Sequence, residues 1–244
     1  MSTFYKLVAT EARLFLREPM SVLFGLLFPA VLLLALGALP VLRQPDPEFG
    51  GQRFVEVFAP SALVLGIGVV ALQHVPNVVA GYREHGVLRR LSTTPVHPGK
   101  LLVAQLLVAL AAVVVSSALL VASAWLVLDV SPPRHPLGFV LALTVGFASV
   151  LAVGTLIAAL APNQRVATGL STLVYMVAMF AGGVFLPRFL MPEGLARIGE
   201  FVPPGVQAML DTWNGTAPDP LHLGIMAVVA ASAAVAAAKL FRWE

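Results

Sequence analysis

Six stretches of this chain contain no Asp, Glu, Lys or Arg: Met20–Leu42, Val57–Val79, Leu101–Leu128, Leu137–Ala161, Val166–Pro187 and Leu221–Ala238. A bilayer core about 30 Å thick is crossed by about 20 residues of helix. One charge at the centre of such a helix costs roughly 2.5–3.5 kcal/mol on the insertion scale, so clean runs of this length are a strong constraint. Composition agrees: only 11% of the 244 residues are charged, against about 25% in soluble domains. So few charges cannot cover a surface that faces water. The sequence predicts an all-α integral membrane protein with six spans, forming a single unit over residues 1–244.

Charge counting orients the spans. With both termini on the cytoplasmic side, the inner segments hold ten of the fifteen basic residues and the outer ones only Arg43, Arg53, Arg134, Arg188 and Arg197. That asymmetry obeys the positive-inside rule. It also explains a sequence pI near 9.7 without nucleic acid, because no basic cluster lies outside the inner loops. The chain has no cysteine, which excludes disulfides, thiolate metal sites and catalytic thiols. Its richness in Arg, Ala, Val, Gly and Pro points to a bacterial source, and hence to the bacterial cell membrane.

Residues 1–19 differ from the spans. Lys6, Thr10, Arg13 and Arg17 fall on one helical stripe, and Phe4, Val8, Ala12 and Phe15 on another. Such a helix lies in the membrane interface, and Pro19 ends it and turns the chain into the bilayer. The other reading is the first turns of a long protruding helix.

Between the second and third spans, residues 82–98 form a short inner loop. Gly81 loosens the end of the span before it, while Thr94–Pro95 and His97–Pro98 close the far side. The stretch "REHGVLRRL" allows about two helical turns. Val87, Leu88 and Leu91 make a small apolar face, and Arg83, Arg90 and Glu84 point elsewhere. Apolar knobs on a short amphipathic helix outside the membrane suit docking to a partner protein. The alternative is an anchor whose arginines, Arg89 and Arg90 above all, bind lipid phosphates.

This loop resembles that of the ABC-2 type exporter permeases, the group of the daunorubicin-resistance and nodulation permeases. The shared residues are Tyr82, Arg83, Glu84, Gly86, Leu88, Arg89, Arg90, Leu91, Thr94 and Pro95. "REP" at Arg17–Pro19 with "FP" at Phe28–Pro29, and the segment Met179–Gly215, resemble the same family in the same order. Val202–Pro204 fits loosely. The resemblance implies that Tyr82, Arg83, Glu84, Gly86, Val87, Leu88, Arg89, Arg90 and Leu91 form a coupling helix seated in an ATPase subunit. It also implies two such subunits, which hold the ATP and Mg²⁺, and a second permease, either a copy or a paralogue. On this reading the chain carries no cofactor and no catalytic site of its own. Its function is export of a hydrophobic or amphipathic substrate, as in multidrug efflux and antibiotic resistance.

Residues 188–220 are too polar and Pro-broken to span, yet Leu195, Ile198, Phe201, Val206, Met209 and Leu210 are too apolar for a free loop. Short amphipathic helices at the outer leaflet satisfy both facts. By the resemblance they cap the exit of the pathway. Within the second span, Gln73, His74 and Asn77 cluster around Pro76. They either line a cytoplasmic vestibule or bond across helices.

Other functions fit less well. There is no GxxxxGK[ST] phosphate loop, no pair of His or acidic residues at metal-binding spacing within a span, and no evident base beside Ser116 and Ser117. An ATP-independent secondary transporter would need ionisable residues at midplane, and the spans carry no charge. A polysaccharide or glycolipid exporter of the same family remains the main alternative.

Overall fold

The computed structural model describes residues 3–92, 99–185 and 191–241. All regular structure among them is helical, apart from one isolated bridge between Pro45 and Arg53. Helix α1 (Thr3–Arg17) is followed by a π-helical segment, Ser21–Leu27, and α2 (Phe28–Gly37). α1 meets the axis of Ser21–Gly37 at 95°, so the break at Glu18–Pro19 turns the chain as the sequence predicts.

Next come α3 (Phe54–Gly68), a second π-helical segment at Val69–His74, and α4 (Val75–Glu84), which join into one helix of 31 residues. This is the axis of the bundle: 78% of its most apolar window is buried inside the protein, against 22% for α11 (Pro220–Leu240). Around it stand α6 (Gly99–Leu128), α7 (Pro136–Leu160) and α8 (Gln164–Ala181). α11 lies along α7, while α1 and α2 both pack on α6.

The π-helical turn in the central helix has a local cause. Pro76 has no N–H to donate and its ring crowds the carbonyl four residues earlier. Widening the turn to i→i+5 bonding absorbs both effects. The widened backbone is then gripped closely. A Cβ on Gly154 of α7 would sit 2.0 Å from the Ala71 carbonyl oxygen, and one on Gly25 would sit 2.8 Å from Val70 Cγ2. Only glycine permits these approaches.

Among the described residues, four helices are long and apolar enough to cross a membrane, or five if α1 and the segment after it count as one bent span; six spans were expected. The other two uncharged runs hold shorter helices. The helix within Met20–Leu42 stops at Gly37, ahead of a 3₁₀ turn at Pro40–Arg43. The helix within Val166–Pro187 is α8, which begins on Gln164 and Arg165 and ends at Ala181, before Gly183 takes φ +82°.

At the end of the bundle opposite α1 lie two short helices, α9 (Glu193–Gly199) and α10 (Val206–Asn214), within the 188–220 segment where short amphipathic helices were expected. They differ in setting. α9 exposes Leu195 and Ile198, whereas α10 buries Ala208, Met209, Thr212 and Trp213 against α7 and α3. Phe189 and Leu190 lie outside the described residues. Arg53 closes this end of α6: its guanidinium donates to the Leu128 and Asp129 carbonyls at 3.0 and 2.7 Å and pairs with Glu56 at 2.8 Å. Those carbonyls are helix-end acceptors with no intrahelical partner.

Candidate functional site

The nine residues expected to form one coupling helix are divided by the structure. Tyr82, Arg83 and Glu84 form the last turn of α4, so Gly81 does not end the span. The chain turns at His85–Gly86, where Gly86 takes φ +67°, and α5 (Val87–Ser92) is a separate helix. The left-handed conformation at Gly86 explains the division, because a helix ends readily where glycine adopts it. The two-turn helix expected over "REHGVLRRL" is corrected accordingly.

The division also changes what the charged residues do. Consecutive helical residues project about 100° apart, so the last turn of α4 addresses three neighbours at once. The Tyr82 hydroxyl donates to Glu11 Oε2 of α1 at 2.7 Å. The Arg83 guanidinium donates to the carbonyls of Ala158 (2.7 Å) and Ala161, capping the C-terminus of α7. Glu84 Oε2 accepts the backbone N–H of Gln164 at 2.8 Å, at the N-terminus of α8. A carboxylate at a helix start and a guanidinium at a helix end both suit the helix dipole. Arg83 and Glu84, expected to point away from the apolar face, both hold the bundle together.

On α5, Leu88 is buried with 4% exposure, Val87 is half-buried and Arg90 is exposed. Arg90 also donates to the His85 carbonyl at 3.3 Å. The side chains of Arg89 and Leu91, and residues Thr94, Pro95, His97 and Pro98, lie outside the described residues. The apolar face is thus not uniformly offered outward, since Leu88 is spent on internal packing.

Sequence reasoning missed two residues that complete this end of the bundle. Glu11 is 3% exposed and Gln105 of α6 is 2% exposed; the Gln105 amide donates to the same carboxylate oxygen of Glu11 as Tyr82 does. Burial pushes the Glu11 carboxyl above the usual carboxylate range, and the bonds from Tyr82 and Gln105 oppose that rise. A signal was available in the spacing. Phe4, Val8, Glu11 and Phe15 repeat at four, three and four residues, so a carboxylate stands in an otherwise apolar stripe.

The vestibule candidates lie close by. Asn77 Nδ2 donates to the Gln73 carbonyl at 2.6 Å, and Thr168 Oγ1 of α8 donates to Asn77 Oδ1 at 2.6 Å. His74, 6% exposed, sits with its Nδ1 at 2.9 Å from Glu18 Oε2 and 2.8 Å from Ser21 Oγ, and its ring meets Phe15 edge-on. A carboxylate can only accept, so Nδ1 carries the proton. The bond from His74 draws the Glu18 carboxyl below the usual carboxylate range.

Serine, histidine and acid together resemble a hydrolytic relay, but the geometry is wrong for one. A relay places serine and acid on opposite ring nitrogens. Here both meet Nδ1, and Nε2 is buried with no hydrogen-bond partner among the described residues. The trio fastens the bend after α1 to the central helix.

His74 and Asn77, but not Gln73, also border a cavity of about 450 Å³ between α1, α4 and α6. Glu18, Tyr82, Gln105 and Val87 share its wall, so the cavity reaches from the bend after α1 to the start of α5.

This assembly is a mechanical junction: one helix turn carrying ties to α1, α6, α7 and α8, with a short helix hung from it. The family model for ABC-2 type transporters matches residues 2–204, a range that contains the whole junction. No curated protein matches the chain. With apolar helices long enough to cross a membrane and most of its length matched, the chain belongs to the ABC-2 type transporter family, as a multi-pass membrane protein that supplies the permease part of an ABC transporter.

Proposed function

We propose that this chain is the permease subunit of an ATP-driven exporter, powered by two copies of a separate ATPase that hold the ATP and Mg²⁺. ABC-2 permease domains generally work with such partners. In this reading residues 1–244 form one transmembrane domain of six spans in a bacterial cell membrane, with both termini cytoplasmic. A second permease, a copy or a paralogue, completes the pathway for a hydrophobic or amphipathic cargo. No ATP, Mg²⁺ or catalytic group is assigned to this chain.

One observation carries the reading: α5 hangs directly from the α4 turn whose three side chains grip α1, α7 and α8. A push on α5 is delivered through Gly86 to that turn, and from there to every helix it holds. Packed interiors respond to such a push by shifting whole elements, because they are close-packed and resist compression. Val87 and Arg90 are the described α5 residues best placed to receive a partner, since Leu88 is buried.

The test is assembly. The full chain is co-expressed with its candidate ATPase and purified by a tag on one of them, with and without Val87→Asp plus Arg90→Glu. Loss of the complex, with the permease alone still monodisperse in detergent, is the expected result. A complex that survives both changes would place the interface elsewhere.

A further inference from the structure

The cavity between α1, α4 and α6 has a use that the junction does not explain. Its volume of about 450 Å³ falls within the range of small-molecule sites. Its wall is largely apolar, with Phe15, Val78 and Val87 contributing, and the amides of Asn77 and Gln105 among the polar groups. Among the described residues, Glu18 is the one carboxylate on that wall, and no Lys or Arg borders it. The Glu18 side chain is 48% exposed although the His74 side chain that it binds is 3% exposed. The Glu18 side chain is therefore not enclosed by its bond to His74. Tyr82 and Phe15 line the same cavity, and aromatic rings attract cations that have left water.

We propose that this cavity is a binding site for an organic ammonium ion carrying an apolar body, with Glu18 as its counter-ion and Phe15 and Tyr82 as its aromatic walls. A carboxylate in an apolar, partly dry cleft favours a cation that is itself weakly hydrated. An anion would meet repulsion from Glu18, and the basic groups on the described wall are the imidazoles of His74, already bonded to Glu18, and His85. The ammonium can come from a free amphiphile or from the headgroup of an amine-bearing lipid. Binding here is a property of this chain and does not depend on an ATPase partner. Failure of this site and failure of the assembly test are thus separate results.

The site can be tested on the purified full chain in maltoside micelles, with ethidium as the cationic probe and anilinonaphthalene sulfonate as the anionic one, both read by fluorescence. Wild type should bind ethidium saturably. Glu18→Gln should weaken that binding by about tenfold, the equivalent of one modest ion pair. Glu18→Asp, which keeps the charge, should restore most of it, and the anionic dye should respond equally to all three proteins. Unchanged ethidium affinity in Glu18→Gln, or equal loss of both dyes, overturns the proposal. So does an Asp variant that behaves like the Gln variant. Adding phosphatidylethanolamine separates the two sources. Competition with ethidium assigns the site to a lipid ammonium, and no competition assigns it to a free cation.

Discussion

Replacing Tyr82 by Phe removes one oxygen atom and leaves the ring in place. The structure says what that atom does: it donates to Glu11 Oε2 at 2.7 Å, on a carboxylate that is 3% exposed, with Gln105 as the other donor to the same oxygen. A hydrogen bond to a charged group contributes about 1.5–3 kcal/mol, and a buried acceptor deprived of its donor keeps the desolvation cost. Tyr82→Phe should therefore lower the stability of the isolated permease by roughly 1.5–3 kcal/mol. Glu11→Gln should remove most of the same interaction, so a double-mutant cycle should return a coupling energy of at least about 1 kcal/mol between the two sites. Reversible unfolding in mixed micelles, followed by far-UV circular dichroism, measures all four corners. The pH dependence adds a sign. Burial raises the Glu11 carboxyl, so the folded chain holds its proton to higher pH than the unfolded chain does. Stability from this group is therefore fully present below its unfolded value and falls as pH rises through its raised folded value. Removing the Tyr82 donor should make that fall steeper, because the hydroxyl stabilises the ionised form. If Tyr82 serves the ATPase instead, Tyr82→Phe will leave the lone chain unchanged and weaken only the complex. Coupling below about 0.3 kcal/mol, within the additivity expected of independent sites, would refute the reasoning.

Three further outcomes follow from the same contacts. Arg83→Lys keeps the charge but loses the fork that spans the Ala158 and Ala161 carbonyls, so it should cost about 1–3 kcal/mol; unfolding that matches wild type would show the cap to be dispensable. Gly154→Ala places a methyl group 2.0 Å from the Ala71 carbonyl oxygen and should destabilise by about 1–3 kcal/mol or more, whereas Gly169→Ala, with open space around it, should be neutral, both read by the same unfolding in mixed micelles. Leu88→Asp should lower the yield of monodisperse permease even without any partner, because Leu88 is 4% exposed; normal yield would show that α5 leaves the bundle in solution.

Much of the architecture was legible from the chain because lipid imposes a simple rule on it. Uncharged runs of about 20 residues become helices wherever charge is costly, and most of the helices fall where those runs do. The turn after α1 was readable for a comparable reason, since Pro19 and the amphipathic stripe before it are local signals. The lengths of the helices within those runs were less legible. Helix length depends on where the backbone leaves the helix, after Gly37 ahead of Pro40 and before the left-handed Gly183, and periodicity alone does not register those exits.

The junction was legible only in outline. "YREHGVLRR" marks the place, but local spacing treats Tyr82, Arg83 and Glu84 as neighbours of Val87 and Leu88. Tertiary structure decides otherwise. Their partners, Glu11, Ala158, Ala161 and Gln164, lie between 71 and 80 residues away in the chain. No pattern within a helix can reveal an acceptor that only folding brings within 3 Å. What the sequence by itself determined was therefore solvation: which segments enter lipid and which stay polar. Which polar groups become internal ties, and which remain for a partner or a ligand, was decided by packing, because hydrogen bonds act over a few ångströms in space and not along the chain.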